Sequence, residues 1–265
     1  MLVVSGGPGR TGAARLAARG ALRIGAGAVT IGVPPAAQLE VACQITAIML
    51  ARVSDAMALD HLLQDCRINA LCLGPGLGLG DEKRDLIEVA LKSGRACVLD
   101  ADACTLIAQC PALFAALHSR CVLTPHGGEF ARLFPQIAER LAAGDVISKN
   151  DATREAAQKA GCVVLLKGAE TMIADQHGLC QAHLARAERA VPWLATAGSG
   201  DVLTGFIAGL IARGLPVSQA AGDATWLHTE CALRFGPGLI AEDLSEELPR
   251  VLRQLAAEIS SDCLG

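Results

Sequence analysis

Asp201 sits directly behind a run of small residues, Ala197-Gly198-Ser199-Gly200, and ahead of an apolar stretch with helical spacing. Val202, Leu203, Phe206, Ile207, Leu210 and Ile211 fall on one face of a helix over 201–213. Arg213-Gly214 reads as its stop, with a cation in the last turn and a glycine just beyond it. A glycine-rich turn that opens a helix aims several unpaired backbone N–H groups at one point, which makes an anion site. A carboxylate at that point suits chemistry that takes a proton from a hydroxyl beside a phosphate. Asp201 therefore has two readings, helix cap and general base. As a cap it would also be held ionised at neutral pH by the helix dipole, by on the order of 1 kcal/mol.

Other segments carry weaker signals, each with a plain alternative. Gly7-Pro8-Gly9-Arg10-Thr11-Gly12 has G-x-G-x-x-G spacing between a strand and a helix. The next strand, however, ends Gly32-Val33-Pro34-Pro35, with no acidic residue to hold a ribose hydroxyl. A close approach to some other ligand, or simple turn geometry, fits better than a dinucleotide fingerprint, and no P-loop motif occurs. Gly74-Pro75-Gly76-Leu77-Gly78 lets backbone come close to a ligand, or is a mobile loop. Asp100-Ala101-Asp102 puts two carboxylates at a strand end, where they face a metal-bound phosphate or one of them caps a helix. His126, in Thr124-Pro125-His126-Gly127-Gly128-Glu129, is structural or a ligand contact. Lys167, opening Lys167-Gly168-Ala169-Glu170-Thr171, is a solvated charge or a point charge on a nucleotide phosphate.

The elements that must position these residues alternate along the chain. Strand-like runs cover 2–5, 28–33, 70–73, 96–99, 121–123, 162–166 and 171–174. Helical patterns cover 11–24, 56–64, 81–92, 103–108, 130–134 and 151–159, and then 201–213, 218–235 and 242–258. Such alternation predicts β-α-β crossovers feeding a mostly parallel sheet with helices on both faces. Ligands of such sheets gather at the carboxyl ends of the strands, where each motif above lies. The pattern is weakest over 135–150, read as an excursion, and the length of 265 residues favours one domain.

Composition narrows the function classes. Apolar residues are 52% and charged residues 19%, enough for a large core and unlike a disordered chain. Aromatics are 3% and the net charge is −4, which argues against base stacking and a phosphate-backbone footprint, hence against nucleic acid as partner. The apolar run of the 201–213 helix is about a dozen residues, short of the roughly 20 of a membrane span, and no signal peptide is evident. The 11 cysteines include no Cys-x-x-Cys pair, and Cys72, Cys97, Cys121 and Cys162 sit in strand-like runs. That is the pattern of buried thiols in a reducing compartment, and it predicts a soluble cytoplasmic protein without a zinc site.

Taken together and in order, GGPGRTGAA, LGPGLG, VLDADA, LTPHGGE, LLKGAET and ATAGSGDVLTG resemble the ADP/ATP-dependent NAD(P)H-hydrate dehydratases of the ribokinase-like superfamily, over roughly 1–235. The resemblance implies a ribokinase-like three-layer α/β/α sandwich with a mostly parallel central sheet. It implies that ADP or ATP, with Mg2+, phosphorylates the added hydroxyl of hydrated NADH or NADPH, and that loss of phosphate restores the double bond. Hydroxide leaves poorly, so a phosphate ester lowers the barrier to elimination.

By the same resemblance Asp201 is the base and the backbone of Ala197, Gly198, Ser199 and Gly200 the anion hole. Lys167, Gly168, Ala169, Glu170, Thr171 and Gly200 are placed on the nucleotide, and Ala13, Gly76, His126 and Asp201 on the hydrated dinucleotide. Glu129 is placed on a magnesium ion through water. The resemblance also implies a homo-oligomer such as a tetramer, and a link to an NAD(P)H-hydrate epimerase, fused or separate. The chain opens at its first strand, so it reads either as one domain over 1–265 or as the C-terminal half of a longer bifunctional protein. Three positions depart from the family pattern: Val191 before Pro192 in place of Asn, Gly127 in place of a proline, and Thr46-Ala47-Ile48-Met49 in place of Pro-Glu-x-Met. The alternatives are a ribokinase-like kinase for a hydroxymethyl or hydroxyethyl heterocycle, a non-catalytic nucleotide sensor, and, further off, a Rossmann oxidoreductase.

Overall fold

The computed structural model describes residues 1–144 and 147–262. Nine strands form one sheet: β1 (Leu2–Val4), β2 (Thr30–Val33), β3 (Met49–Arg52), β4 (Ala70–Leu73), β5 (Ala96–Leu99), β6 (Cys121–Leu123), β7 (Val163–Leu166), β8 (Glu170–Ala174) and β9 (Cys180–Leu184). Their spatial order is β3-β2-β1-β4-β5-β6-β7-β8-β9. Pairing is parallel from β3 to β7, and antiparallel between β7 and β8 and between β8 and β9. The order reverses between β1 and β4, so the loops leaving those strands diverge and open a crevice at the switch point.

Twelve helices cover the sheet among the described residues: α1 (Gly12–Arg23), α2 (Gln38–Ala42), α3 (Ala56–Leu62), α4 (Asp81–Lys92), α5 (Ala101–Gln109), α6 (Pro111–Ala115), α7 (Gly127–Leu133), α8 (Pro135–Ala142), α9 (Lys149–Ala160), α10 (Ser199–Ala212), α11 (Val217–Phe235) and α12 (Ala241–Asp262). The side-chain period of a strand sorts the core into two layers. Ala70, Cys72, Ala96 and Val98 face α1, α10, α11 and α12. Leu71, Leu73, Cys97 and Leu99 face α3 to α9. This is the expected three-layer α/β/α sandwich.

Small residues set how closely α10 reaches the sheet. A Cβ added at Gly205 would run into the backbone of Ala17, and one at Gly209 would meet Ala21 and Ile24. Ala14, Ala17, Ala18 and Ala21 of α1 are all fully buried there. The chain's high alanine content thus serves a close α1–α10 contact, which fixes the residue behind the glycine turn against β4 and β5. Cys72, Cys97, Cys121 and Cys162 are buried, and every described cysteine is free.

The differences from the sequence reading lie at edges and short helices. β3 and β9 are extra strands, and their burial alternates weakly because each is exposed at a sheet edge. α2, α6 and α8 are extra helices, α8 within the region read as an excursion, of which residues 145 and 146 lie outside the described residues. α10 begins at Ser199 rather than at Asp201.

Candidate active site

The turn before α10 explains the earlier start. Gly198 is the N-cap, with φ of +88°, a left-handed conformation that glycine adopts without a Cβ penalty. Ser199 and Gly200 follow, so Asp201 is the third residue of the helix. Its side chain makes no cap hydrogen bond, and the reading of Asp201 as a cap is corrected on that point. Ser199 is anchored instead: its Oγ donates to the Leu194 carbonyl at 2.6 Å. Its own carbonyl is 2.9 Å from Nε2 of His228, a residue buried on α11. The N–H of Ser199 bends back to the Thr196 carbonyl at 3.4 Å. The N–H groups of Ala197, Gly198, Gly200 and Asp201 have no backbone acceptor among the described residues, as an anion-binding turn requires.

Burial reverses the expected electrostatics of Asp201. Desolvation is the largest cause and the charge of Asp100 the next, with Asp102 adding; together they raise its carboxyl from 3.8 to about 6, against the pull of Lys167. A helix N-terminus stabilises an exposed anion by under about 1 kcal/mol. The loss of water outweighs it here. The group is still mainly ionised at pH 7, and it is a stronger base than an ordinary carboxylate.

Asp100, at the end of β5, is 2% exposed and both of its oxygens are engaged. Oδ1 accepts from Lys167 Nζ at 2.7 Å, and Oδ2 from Thr204 Oγ1 at 2.9 Å. Burial alone would lower the Lys167 pKa, but the Asp100 carboxylate beside it raises it on balance. Lys167 lies 3.5 Å from where a Gly200 Cβ would stand, so the cation sits directly over the first turn of α10. The solvated-charge reading of Lys167 therefore falls away, as does a side-chain cap for Asp100. Asp102 instead accepts from the Gly78 N–H through Oδ2 at 2.7 Å. Between them Ala101 has φ of +46°, strained for alanine, and the two carboxylates go to different partners, Asp100 to Lys167 and Thr204, Asp102 to Gly78.

The 167–171 turn opens onto a cavity of about 690 Å³. Its walls come from the turn, from His126, from residues of the 190–196 segment, from Ser199 and Gly200, from His183 of β9, and from Leu203, Thr225, His228 and Thr229, so His126, expected on the hydrated dinucleotide, lines the same cavity as Lys167. Burial pushes the His228 imidazole down to about 4, so it is neutral and donates to Ser199 through Nε2. His183 Nε2 lies 3.0 Å from Thr229 Oγ1. Val191 is a wall residue of this cavity, which locates the departure from Asn at that position. His183, Thr204 and His228 carry no local motif. For Thr204 and His228 the available signal was a polar residue within an otherwise apolar helix face, and His183 on the edge strand β9 carried none.

The opposite side of Asp201 is built from the β1 and β4 loops. A Cβ on Gly76, at φ of +65°, would lie 2.5 Å from the Arg10 carbonyl and 3.5 Å from Ala13 Cβ, so Ala13 and Gly76 face each other across the crevice. The 74–78 segment is thereby a packed turn. Arg10 N–H closes the first glycine turn onto Gly7 at 3.0 Å. Glu40 ties that turn down, accepting from Gly9 N–H at 2.8 Å and from Thr11 Oγ1.

His126 opens α7 in a reciprocal capping box. Its Nδ1 accepts from the N–H groups of Gly128 and Glu129 at 2.9 and 3.4 Å, while its own N–H donates to Glu129 Oε2 at 2.8 Å. Glu129 Oε1 lies 3.4 Å from His126 Nε2. Glu129 is buried, and no group of three or more His, Cys, Asp or Glu among the described residues could hold a metal alone. These residues fit a magnesium ion only through water, with the remaining ligands coming from a nucleotide.

Comparison with known proteins agrees with this geometry. Residues 1–250 match the family model described as NAD(P)H-hydrate dehydratase. The chain is 38% identical over 275 aligned positions to the bifunctional NAD(P)H-hydrate repair enzyme Nnr of Moorella thermoacetica, covering 98% of this chain and 50% of that protein. It is 35% identical over 267 positions to the protein of the same name from Synechocystis, covering 96% and 48%. The chain thus spans about half the length of these curated relatives. Among solved structures, the ADP/ATP-dependent NAD(P)H-hydrate dehydratase from Bacillus subtilis, co-crystallized with ATP/Mg2+ and soaked with CoA, is 27% identical. It superposes with a TM-score of 0.76 over 96% of this chain and 90% of that one. A hydroxyethylthiazole kinase from Pyrococcus horikoshii shares the fold at a TM-score of 0.62 and 16% identity. The strand order β3-β2-β1-β4-β5-β6 is one that Rossmann sheets also have. The family match over residues 1–250, not the topology, decides against a Rossmann reading of the first glycine turn, and the chain belongs to the NAD(P)H-hydrate dehydratase family.

Proposed function

We propose that this chain restores NADH or NADPH from the S-epimer of its hydrate, by phosphorylating the ring hydroxyl from ADP or ATP and eliminating phosphate. The observation that carries this is the position of Asp201. It stands in the first turn of α10, between a cavity lined by Lys167, His126, Ser199 and Gly200 and the β1 and β4 loops where Ala13 and Gly76 meet. Nucleotide on the first side and hydrate on the second would put the hydroxyl next to both the base and the phosphate cradle.

In this reading Asp201 takes the hydroxyl proton, while the N–H groups of Ala197, Gly198 and Gly200 and the Lys167 ammonium balance charge on the transferred phosphoryl group; the N–H of Ser199, expected in the same anion hole, is turned to Thr196. Preorganised donors of that kind are typically worth about 10²–10³ in rate each. Gly168, Ala169, Glu170, Thr171 and Gly200 bind the nucleotide. Magnesium, when bound with the nucleotide, neutralises its phosphate oxygens, and Glu129 would reach it through water. ADP is favoured as donor over ATP. The chain works as a single domain over 1–265 in a soluble cytoplasmic homo-oligomer, with an epimerase fused to it or supplied separately. The half-length coverage of bifunctional relatives supports that link.

The test is to mix the purified chain with hydrated NADH or NADPH and either nucleotide, and to follow the absorbance of reduced nicotinamide. Recovery that depends on nucleotide and is lost in Asp201→Asn supports the proposal. No recovery with either nucleotide, alongside phosphorylation of an alcohol such as hydroxyethylthiazole, would replace it with a small-molecule kinase. Full activity in Asp201→Asn would point to a sensor or to another base.

A further inference from the structure

The repair reaction proposed above, on which this inference rests, releases two protons at different atoms. In the first step the hydroxyl oxygen forms a bond to phosphorus as the nucleotide's terminal P–O bond breaks, and the hydroxyl proton passes to Asp201. In the second, the ring nitrogen's lone pair helps expel phosphate with the C–O bonding pair. The adjacent ring carbon then loses a proton, and its C–H pair becomes the new double bond. Asp201 already holds the first proton, so the second needs another acceptor.

The titratable groups around the crevice can be taken in turn. Both oxygens of Asp100 are occupied by Lys167 and Thr204. Glu129 is occupied by the N–H and ring of His126. His126 spends its Nδ1 lone pair on the N–H groups of Gly128 and Glu129, which leaves its proton on Nε2, facing Glu129. Lys167 is buried against Asp100 and holds its proton. His228 is on the nucleotide side and engaged with Ser199. Cys72, close enough to Asp201 to feel its charge, is fully buried in the core, and burial pushes its thiol pKa up.

Asp102 remains. Gly78 N–H holds Oδ2, and no hydrogen bond among the described residues ends on Oδ1. The strained turn at Ala101 aims it toward the 74–78 loop, partly open to solvent, and its charge is felt by Asp201. We propose that Asp102 is the second base of this site, its free Oδ1 taking the ring-carbon proton in the elimination step. Asp100 and Asp102, two residues apart, then serve different steps: one orients the phosphate-binding lysine, the other completes the double bond.

The experiment separates the two steps in a single turnover, with terminally labelled nucleotide, hydrated NADH and rapid quenching. Asp102→Asn keeps an oxygen to accept from Gly78, so the loop is preserved. Label should then accumulate on the hydrate while reduced-nicotinamide absorbance returns about 10²–10⁴-fold more slowly, the usual share of a general base. Asp102→Glu should restore part of the second step alone, and Asp201→Asn should form neither species. Absorbance returning at the wild-type rate in Asp102→Asn would overturn the assignment and hand the proton to the departing phosphate. Equal loss of both steps would also overturn it, leaving Asp102 as a loop support. Wild-type protein that forms neither labelled hydrate nor reduced nicotinamide would overturn the functional reading itself, a result distinct from the other two.

Discussion

On the nucleotide side of Asp201 the polar groups are buried or half-buried and tied to one another: Lys167 to Asp100, Asp100 to Thr204, Thr204 to the Gly200 carbonyl, and His228 to Ser199. On the crevice side Asp102 is half-buried with one oxygen free, and the walls are glycine turns. The contrast fits what the proposed function asks of each side. Stabilising a transferred phosphoryl group depends on charges fixed before the reaction, and fixed charges need a dry, fully bonded setting. A substrate the size of a dinucleotide needs a groove whose backbone can be approached closely and left again. Asp201 stands on the boundary, buried enough to be raised to about 6 and open enough to reach a hydroxyl.

Substitutions can break this contrast, and the largest effect belongs to the boundary. Asp201→Asn should lower turnover by about 10³-fold or more with nucleotide binding retained, since the amide keeps the shape and loses the base. Residual turnover within tenfold of wild type would remove Asp201 from the chemistry. Next comes the nucleotide side. Asp100→Ala leaves the half-buried Lys167 ammonium and the Thr204 hydroxyl without their partner, which should cost about 1–3 kcal/mol in chemical denaturation. No measurable loss would mean that the pair does not hold Lys167 in place.

An effect of similar size should run the other way. Folding raises the Asp201 pKa from 3.8 to about 6, so its contribution to stability is fully present below about pH 4 and is lost as pH rises through 6. Asp201→Asn should therefore be more stable than wild type at pH 8, by about 1–3 kcal/mol, and indistinguishable from it below pH 4. Denaturation curves at the two pH values check both halves of that statement. The smallest effect is expected at Ala101. Ala101→Gly relieves a positive φ of +46° and should stabilise by under about 1 kcal/mol, with a few-fold loss of turnover as the two carboxylates lose their fixed divergence.

Much of this was legible in the chain, and the illegible parts share a cause. Strands β4, β5 and β7, buried on both faces, announce themselves as continuous apolar runs, whereas β3 and β9 at the edges do not. The α10 helix was plain, but its start depended on a left-handed Gly198 that a pattern of apolar positions cannot register. Asp201 and the 167–171 turn could be read from local motifs. The Asp100–Lys167 and Asp100–Thr204 bonds span 67 and 104 residues, and no local rule brings such partners together. The direction in which the Asp201 pKa moves was misjudged for the same reason. Its helix is written beside it, while the strands and carboxylates that strip away its water come from elsewhere.

The central claim is that Asp201, raised by burial and by its acidic neighbours, is the base for phosphoryl transfer. The most direct measurement is the single-turnover rate of hydrate phosphorylation against pH, with nucleotide saturating. The rate should be flat above about pH 7 and fall tenfold per unit below about 6, as the carboxylate takes up its proton. A rate that stays level down to about pH 4.5, or a fall near pH 6 that persists unchanged in Asp201→Asn, would contradict it.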